Sequence, residues 1–212
     1  MIEDLKQRLM APAEDISVEG QQNREKAAVL LAIQVQPEPA LVLTQRASTL
    51  NSHGGEVAWP GGKHDPLDGS LETTVLRETW EEIGLPPEKV NIVAELRPFI
   101  SKFGLVVTPY VGFVDEPVRL KANPEELESI FMVPLAWLKN DPRSQTDVIT
   151  RYGETHHIPV YHYEENKIWG LTAMILWEFM VRGMAVDSSK SAYGKLQNTL
   201  LTNSVNSSWE KE

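Results

Sequence analysis

The sequence predicts an α/β fold, a sandwich of helices around a mixed β-sheet. Two apolar runs, at residues 27–35 and 40–46, lie on either side of a proline turn and are typical of core strands. Helices are indicated by a capped segment that ends before Gly84 and by an amphipathic pattern at residues 171–182. Because strands alternate with helices along the chain, we expect the helices to cover the faces of one sheet.

The remaining elements complete this arrangement. We predict a packed N-terminal helix at residues 2–10, strands at 89–100, 105–114 and 118–120, a short helix at 123–130, a strand or turn at 132–138, and a hairpin of 146–150 with 156–163. Three segments are therefore expected. They are a helix and linker at 1–26, one domain at 27–183, and a polar tail at 184–212.

Composition limits the classes of function. The 212 residues, 42% of them hydrophobic, suffice for a full core. There is no cysteine, which excludes disulfides, thiolate metal sites and cysteine nucleophiles. The formal charge of −10 argues against broad electrostatic binding to nucleic acid, and neither a signal peptide nor a run of ~18 apolar residues occurs. We therefore expect a cytoplasmic protein with no nucleic-acid or membrane partner.

A short helix carries a cluster of acidic residues. Ser70 can cap its start, and Gly84, followed by prolines, ends it. At ~100° per residue, one face of this helix carries Glu78, Glu81 and Glu82. The opposite face, which we expect to pack on the core, carries Leu76, Thr79, Trp80 and Ile83.

The crowded carboxylates need a compensating cation, because like charges at this spacing repel. Arg77 is one candidate, since a guanidinium can hold carboxylates through forked hydrogen bonds. A hard divalent ion is another, because Mg²⁺ prefers carboxylate and water oxygens. The alternative is that Glu81 and Glu82 form only a solvated helix face. A long glycine-rich loop at residues 47–62 precedes the helix, and loops of this length are commonly functional.

The segment RETWEEIGL, residues 77–85, resembles the second half of the Nudix box, R-E-(apolar)-x-E-E-x-G-(apolar), which supplies a metal site. Thr79 stands at the apolar position of that pattern. In the first half of the box, Asp68 stands at the glutamate position, and eight residues instead of seven separate it from Arg77. The resemblance is therefore to the Nudix hydrolase family.

The stretch LTQRASTLNSHGGEVAWPGG, residues 43–62, is similar to the signature of the coenzyme A pyrophosphatase branch of that family. The matching positions are Arg46, Gly55, Pro60, Gly61 and Gly62, and Asp65 and Asp68 continue the pattern. Residues 123–126, 133–135 and 168–173 also look like this branch, so that the resemblance covers about 27–183. Ala47, Asn51 and Trp59 replace a serine, an arginine and a phenylalanine of the signature.

The resemblance implies hydrolysis of the diphosphate of coenzyme A or its acyl derivatives, giving 4′-phosphopantetheine and adenosine 3′,5′-bisphosphate. It implies Mg²⁺ or Mn²⁺ as cofactor, with Glu78, Glu81, Glu82 and the Gly62 carbonyl as ligands and Arg77 as the group that orients them. Glu78 and Glu125 are both candidates for the general base. The candidate substrate-binding residues are Arg46, Asn51, Gly61 and Lys63.

Two other functions are weighed against this one. A Nudix hydrolase of NADH, ADP-ribose or another nucleotide derivative is favoured by Asn51, because an amide suits a phosphate less well than the family's guanidinium does. His53 or Lys63 could replace that contact. A non-catalytic Nudix-fold binding module would be expected to lack the helix glutamates, and this chain has them.

Histidines and aromatic residues toward the end of the chain have simpler interpretations. His156, His157 and His162 are expected at the surface or in hydrogen bonds rather than in a metal cluster. Trp169, Trp177 and Phe179 are expected in the core or at the surface of a homodimer.

Overall fold

A computed structural model describes residues 1–11, 24–50, 53–151 and 154–187 of the chain. The helices are α1 (Ile2–Met10), α2 (Leu71–Ile83), α3 (Leu135–Leu138) and α4 (Gly170–Met184), with short 3-10 turns at Pro66–Asp68 and Pro87–Lys89. The strands are β1 (Lys26–Gln34), β2 (Ala40–Arg46), β3 (Val57–Ala58), β4 (Gly61–Lys63), β5 (Asn91–Glu95), β6 (Phe99–Ile100), β7 (Val106–Val114), β8 (Leu127–Pro134), β9 (Gln145–Arg151), β10 (Glu154–Tyr163) and β11 (Asn166–Ile168).

The main sheet contains eight strands and is mixed. Five of its strands lie side by side in the order β3-β2-β1-β7-β5. Of the other three strands, β4 pairs with β1, β6 with β7 and β8 with β2. β1 and β7 run parallel from Lys26 opposite Val106 to Gln34 opposite Val114, whereas the other pairs of this sheet are antiparallel. Strands β9 to β11 form a separate three-stranded antiparallel sheet. The predicted mixed sheet and the hairpin of β9 and β10 are confirmed.

Helices cover both faces of the main sheet, as the predicted sandwich requires. On one face, Val75 and Ile83 of α2 share a buried cluster with Ala28 and Leu30 of β1. On the other face, α1, α4 and the small sheet enclose a larger cluster that includes Leu5, Leu9, Leu31, Tyr161 and Phe179. β1 is buried along nearly its whole length because both of its faces are covered.

The strands β1 and β2 separate, and the glycine segment enters between them. They pair with each other only at Ile33 with Leu41 and Gln34 with Ala40. Farther along, β3 pairs with β2 and β4 pairs with β1. The predicted long loop at 47–62 precedes α2 as expected, but its last part contains the short strand β3 and the start of β4, which the sequence analysis did not predict. Tertiary pairing, which a local pattern does not reveal, brings Gly61 and Gly62 into the sheet.

Three other predicted elements differ from the structure. The predicted helix at 123–130 is wrong, because residues from Leu127 onward form β8 along β2. Asn123 instead makes a turn, in which its side-chain oxygen accepts a hydrogen bond from Glu125 N at 3.2 Å. The strand predicted at 118–120 does not form, and the segment 132–138 is divided between β8 and the single turn α3. Helical spacing in 123–130 was overridden by the available sheet edge.

The structure also bears on membrane spans and on the predicted division of the chain. Within the described ranges, no helix combines the length and apolarity needed to cross a bilayer. The division into 1–26, 27–183 and 184–212 stays a prediction, and residues 188–212 of the predicted tail lie outside the described residues.

Candidate active site

The ends of α2 define where its glutamates lie. Ser70 Oγ accepts a hydrogen bond from Thr73 N at 3.0 Å, which satisfies one of the free amides of the first turn. Gly84 ends the helix with a φ of 67°, a left-handed conformation that suits glycine. The predicted cap and stop are therefore both present.

The buried face of α2 is narrower than the sequence pattern indicated. Val75, Thr79 and Ile83, spaced by four residues, are fully buried against the sheet. Trp80 was expected beside them, but 50% of its surface is exposed because it lies one residue, about 100°, away from this stripe. Glu82 is only 4% exposed, although the pattern placed it on the polar face. The helix thus carries a carboxylate into the protein.

Arg77 holds three carboxylates around one guanidinium. Its Nε donates to Asp68 Oδ1 at 2.8 Å and its Nη2 to Asp68 Oδ2 at 3.0 Å, a forked contact. Nη2 also donates to Glu78 Oε1, and Nη1 to Glu81 Oε2, each at 2.9 Å. Hydrogen bonds from Arg77, and next from Thr74, hold the pKa of Asp68 well below its usual range despite partial desolvation. Asp68 is therefore charged and fixes the orientation of Arg77.

Glu82 is the most buried carboxylate of the group. Its Oε2 accepts a hydrogen bond from Gly61 N at 3.0 Å. Burial raises the pKa of Glu82 to about 7, the negative charge of Glu126 adds to the rise, and the Gly61 amide and the charge of Arg46 oppose it. The carboxylate therefore lacks enough positive charge around it to offset its desolvation.

Glu78 lies beside the glycine turn and experiences the same imbalance. Burial raises the pKa of its carboxyl group, and the charges of Glu81 and Glu126 raise it further. The hydrogen bond and the charge of Arg77 oppose this rise without cancelling it. Both Glu78 and Glu82 are thus carboxylates that a cation would stabilise.

Glycine is required at positions 61 and 62 because neighbouring atoms lie too close to the backbone to leave room for a Cβ. Gly61 has a φ of 142°, and a Cβ added there would lie 2.2 Å from the Ala28 carbonyl oxygen of β1. A Cβ on Gly62 would lie 2.3 Å from the Glu78 carboxylate. The two glycines therefore allow the backbone to lie between β1 and the glutamates of α2.

Glu126 is a member of the site that the sequence analysis missed. Two backbone bonds hold its segment, from Asn123 N to Glu82 O at 2.8 Å and from Ala47 N to Glu126 O at 2.9 Å. Its charge acts on both Glu78 and Glu82, whereas Glu125, the other residue besides Glu78 that was a candidate base, is exposed. The two adjacent glutamates were visible in the sequence, but only the turn at Asn123 determines which of them faces α2.

Arg46 is a predicted substrate-binding residue whose charge acts on this acidic group. It ends β2 at an irregularity in the pairing with β8, and its charge lowers the pKa of Glu82. Its Nε is buried, and it has no hydrogen-bond partner among the described residues. Its guanidinium thus adds positive charge to an acidic site, and guanidiniums bind anionic oxygens well.

The residues of the site fit a divalent cation. Among the described residues, no three histidine, aspartate or glutamate side chains converge into a ready-made metal site, and Arg77 holds Glu81 by an ion pair. The site nevertheless contains more carboxylates than guanidiniums, namely Asp68, Glu78, Glu81, Glu82 and Glu126 against Arg46 and Arg77. Carboxylate oxygens are ligands that hard divalent ions prefer, and such an ion would neutralise the excess negative charge.

Other predicted residues lie apart from this cluster or beyond description. Lys63 Nζ forms an exposed ion pair with Glu25 at 2.9 Å. Asn51 lies outside the described residues. His53, considered as a replacement for the missing arginine, pairs with Glu56 at 2.6 Å. His162 Nδ1 is hydrogen-bonded to Ser144 Oγ at 2.9 Å, in agreement with the interpretation of a hydrogen-bonded histidine.

Comparison with known proteins identifies the family. The NUDIX domain family matches residues 24–152. An uncharacterized Nudix hydrolase NudL of Photorhabdus laumondii is 43% identical over 154 residues, which cover 73% of this chain and 82% of that protein. The NudL protein of Yersinia enterocolitica is 42% identical over 154 residues, 73% of this chain and 79% of that protein. A MutT/nudix family protein of Enterococcus faecalis has a similar structure, with a TM-score of 0.49, 18% identity, and coverage of 86% of this chain and 68% of its own.

The chain belongs to the NUDIX family. It is a Nudix pyrophosphohydrolase, an enzyme class that hydrolyses diphosphate linkages and generally uses divalent metal ions. The site on α2 agrees with this class, because it places several carboxylates that suit a divalent cation beside the glycine turn. The family does not by itself specify the substrate, the metal or the base.

Proposed function

We propose that the enzyme hydrolyses the diphosphate linkage of coenzyme A or its acyl derivatives. The reaction adds one water across the P–O–P linkage and releases 4′-phosphopantetheine and adenosine 3′,5′-bisphosphate. The observation that carries the proposal is the contact of upstream-signature residues with Glu82: Gly61 N donates a hydrogen bond to Glu82 Oε2 at 3.0 Å, and the charge of Arg46 acts on the same carboxylate. Arg46 belongs to the upstream signature of the coenzyme A pyrophosphatase branch, and Glu82 belongs to the Nudix box. The two motifs therefore contribute to one site.

The residues of the chain have distinct tasks in this proposal. Glu78, Glu81, Glu82 and the Gly62 carbonyl would hold Mg²⁺ or Mn²⁺, and the ion would supply binding of the phosphates and activation of a water molecule. Arg77, fixed by Asp68, orients Glu78 and Glu81. Arg46 supplies positive charge for an anionic group of the substrate. Gly61 supports the site through the hydrogen bond that its N–H donates to Glu82, and its backbone is a candidate contact for a phosphate.

A base that removes a proton from the attacking water is also required. Glu78 and Glu125 are the residues that the sequence proposes, and Glu126 joins them because its charge acts on Glu78 and Glu82. We favour Glu126, since its segment is bonded to the backbone of α2 at Glu82 and to that of Ala47 next to Arg46. A cytoplasmic location and a homodimer stay predictions.

A substrate panel tests the proposal. Purified enzyme with Mg²⁺ or Mn²⁺ is given coenzyme A, acetyl-coenzyme A, NADH, ADP-ribose and nucleoside triphosphates, and products are separated by anion-exchange chromatography. We expect the highest kcat/KM on a coenzyme A compound, with 4′-phosphopantetheine as a product. If coenzyme A compounds are hydrolysed negligibly while NADH or ADP-ribose is hydrolysed well, the proposed substrate is wrong. The enzyme would then belong with the second candidate substrate class, which Asn51 favours. No turnover of any compound would support a non-catalytic binding module.

A further inference from the structure

The segment 168–173, which opens α4, contacts the glycine region directly although it lies beyond residues 24–152 of the matched domain. Thr172 Oγ1 donates a hydrogen bond to the carbonyl oxygen of Val57 in β3 at 2.9 Å. In the opposite direction, Trp59 Nε1 donates to the carbonyl oxygen of Thr172 at 3.1 Å. These two bonds connect the first turn of α4 to the strand that leads into the glycine turn.

Residues 57–59 contact α4, and the glycine turn that follows them contacts α2. Val57 and Trp59 are buried in the cluster that includes residues of α4. Two residues after Trp59, Gly61 N donates to Glu82, and Gly62 lies against the Glu78 carboxylate. Contacts with α4 therefore fix the position of residues 57–59. The position of the glycine turn depends on them in turn, because the intervening Pro60 has a φ that is restricted by its ring.

The glycine turn has little freedom to shift. Pro60 O accepts a hydrogen bond from Leu30 N at 2.8 Å, and Gly61 lies so close to β1 that no side chain would fit. The bond from Gly61 N to Glu82 is 3.0 Å long, and hydrogen bonds weaken quickly as the distance and angle depart from their optimum. A small displacement of β3 would consequently change how Glu82 and Glu78 are held.

We infer that Thr172 is a positioning residue for diphosphate hydrolysis, acting through β3 on the glycine turn and so on Glu82 and Glu78. The inference rests on the proposed function and adds to it a residue on a helix outside the Nudix box. Trp59 has a supporting part that departs from the signature, because the phenylalanine of the signature has no N–H with which to reach Thr172 O. Thr172 touches no reacting group in this assignment, and its effect passes through the backbone.

Single variants at Thr172 and Ser144, and one double variant, test the inference in the whole chain. Thr172→Val removes the hydroxyl at nearly constant shape, and Thr172→Ser restores it. Ser144→Ala is the matched control, since Ser144 Oγ makes an equivalent 2.9 Å bond to the Val160 carbonyl in the small sheet. For each variant, kcat and KM, the free energy of unfolding, Mn²⁺ affinity by calorimetry, and hydrogen exchange of the Gly61 amide by NMR are measured.

We expect Thr172→Val to lower kcat by up to about tenfold, the factor that one net hydrogen bond can contribute. KM should change less, Mn²⁺ should bind more weakly, and the Gly61 amide should exchange faster. Thr172→Ser should restore all of these, and Ser144→Ala should leave them unchanged while losing comparable stability. The double variant Trp59→Phe with Thr172→Val should be non-additive, because both changes release the same segment.

The inference would be overturned if Thr172→Val kept the wild-type kcat, Mn²⁺ affinity and Gly61 exchange rate, or if Ser144→Ala changed them equally. Failure of the proposed function has a different signature. In that case the wild-type enzyme would not hydrolyse coenzyme A compounds, whereas the difference in Gly61 exchange between Thr172→Val and Thr172→Ser would still be measurable and would decide the positioning role.

Discussion

Glu82 combines burial with a negative charge, and this combination determines how the site should respond to substitution. Its pKa in the folded protein is about 7, above the ordinary 4.5 that applies to an unfolded chain. The stability that a protonated Glu82 provides is therefore fully present below pH 4.5 and is lost as the pH rises through 7. At alkaline pH and without metal, the ionised carboxylate costs on the order of 3 kcal/mol.

We predict that Glu82→Gln abolishes measurable turnover and stabilises the metal-free protein above pH 7. The amide oxygen of glutamine can still accept the Gly61 hydrogen bond, but the buried charge is gone. Denaturant unfolding in EDTA at pH 4.5 and pH 8 measures the effect. The variant should resemble wild type at pH 4.5 and exceed it by about 1–3 kcal/mol at pH 8. A variant less stable than wild type at pH 8 would contradict the account of Glu82.

A second residue-scale prediction separates the adjacent glutamates 125 and 126. Glu126→Gln should lower kcat by roughly 10²–10⁴-fold, the usual contribution of a general base, because Glu126 acts on Glu78 and Glu82. Glu125→Gln should have a much smaller effect, since Glu125 is exposed. Exposed Glu128, on the neighbouring strand β8, provides a control substitution. The reverse order of effects would assign the base to Glu125, as the sequence allowed.

At the scale of elements, α2 depends on its two ends, and Gly84 offers a clean test. A Cβ at Gly84 would have no atom closer than 3.8 Å, so that a substitution there acts through backbone conformation and not through a collision. Gly84→Ala should therefore lower the free energy of unfolding by about 1 kcal/mol, because alanine disfavours the φ of 67°.

Two observations check this prediction. Gly84→Asn should cost less than Gly84→Ala in denaturant unfolding, because asparagine tolerates the left-handed conformation better. If alanine instead stabilised the protein through its higher helix propensity, the helix end would not be left-handed in solution. Activity should fall in the same order as stability, since Glu82 lies only two residues before the cap.

At the scale of the whole molecule, binding of a divalent ion should stabilise the fold. The acidic site joins α2, the glycine turn and the turn at Asn123, so the full set of its groups exists only in the folded chain. A ligand that binds only the folded state at 100 times its Kd stabilises it by about 2.7 kcal/mol. We predict that Mn²⁺ raises the Tm of the wild-type protein by roughly 5–10 °C at pH 8.

The same measurement on Glu82→Gln supplies the control for that prediction. Its Tm should respond little to Mn²⁺, because the variant lacks one of the proposed ligands. An equal rise in both proteins would indicate that the ion binds elsewhere on a surface whose formal charge is −10. Ca²⁺ at the same concentration would distinguish a site that selects small ions from general charge neutralisation.

The sequence by itself determined those features that depend on neighbouring residues. Apolar runs predicted β1, β2 and β7, cap residues predicted both ends of α2, and the motif from Arg77 to Leu85 predicted the family. These features are local, since helix caps, strand patterns and motif spacing are all decided within a few residues. The pairing of Arg77 with Glu78 and Glu81 is local for the same reason, as all three lie within two turns of one helix.

Only the tertiary structure decided what depends on distant segments. β8 forms because the edge of β2 is available to residues that alone resemble a helix, and Glu82 is buried because Gly61 meets it from the sheet. Likewise, Glu126 rather than Glu125 is near α2 because of a turn held by Glu82 and Ala47, and Thr172 reaches β3 across more than a hundred residues of chain. Such long-range contacts set the burial of a side chain and the pKa that depends on it, and no local sequence pattern encodes either property.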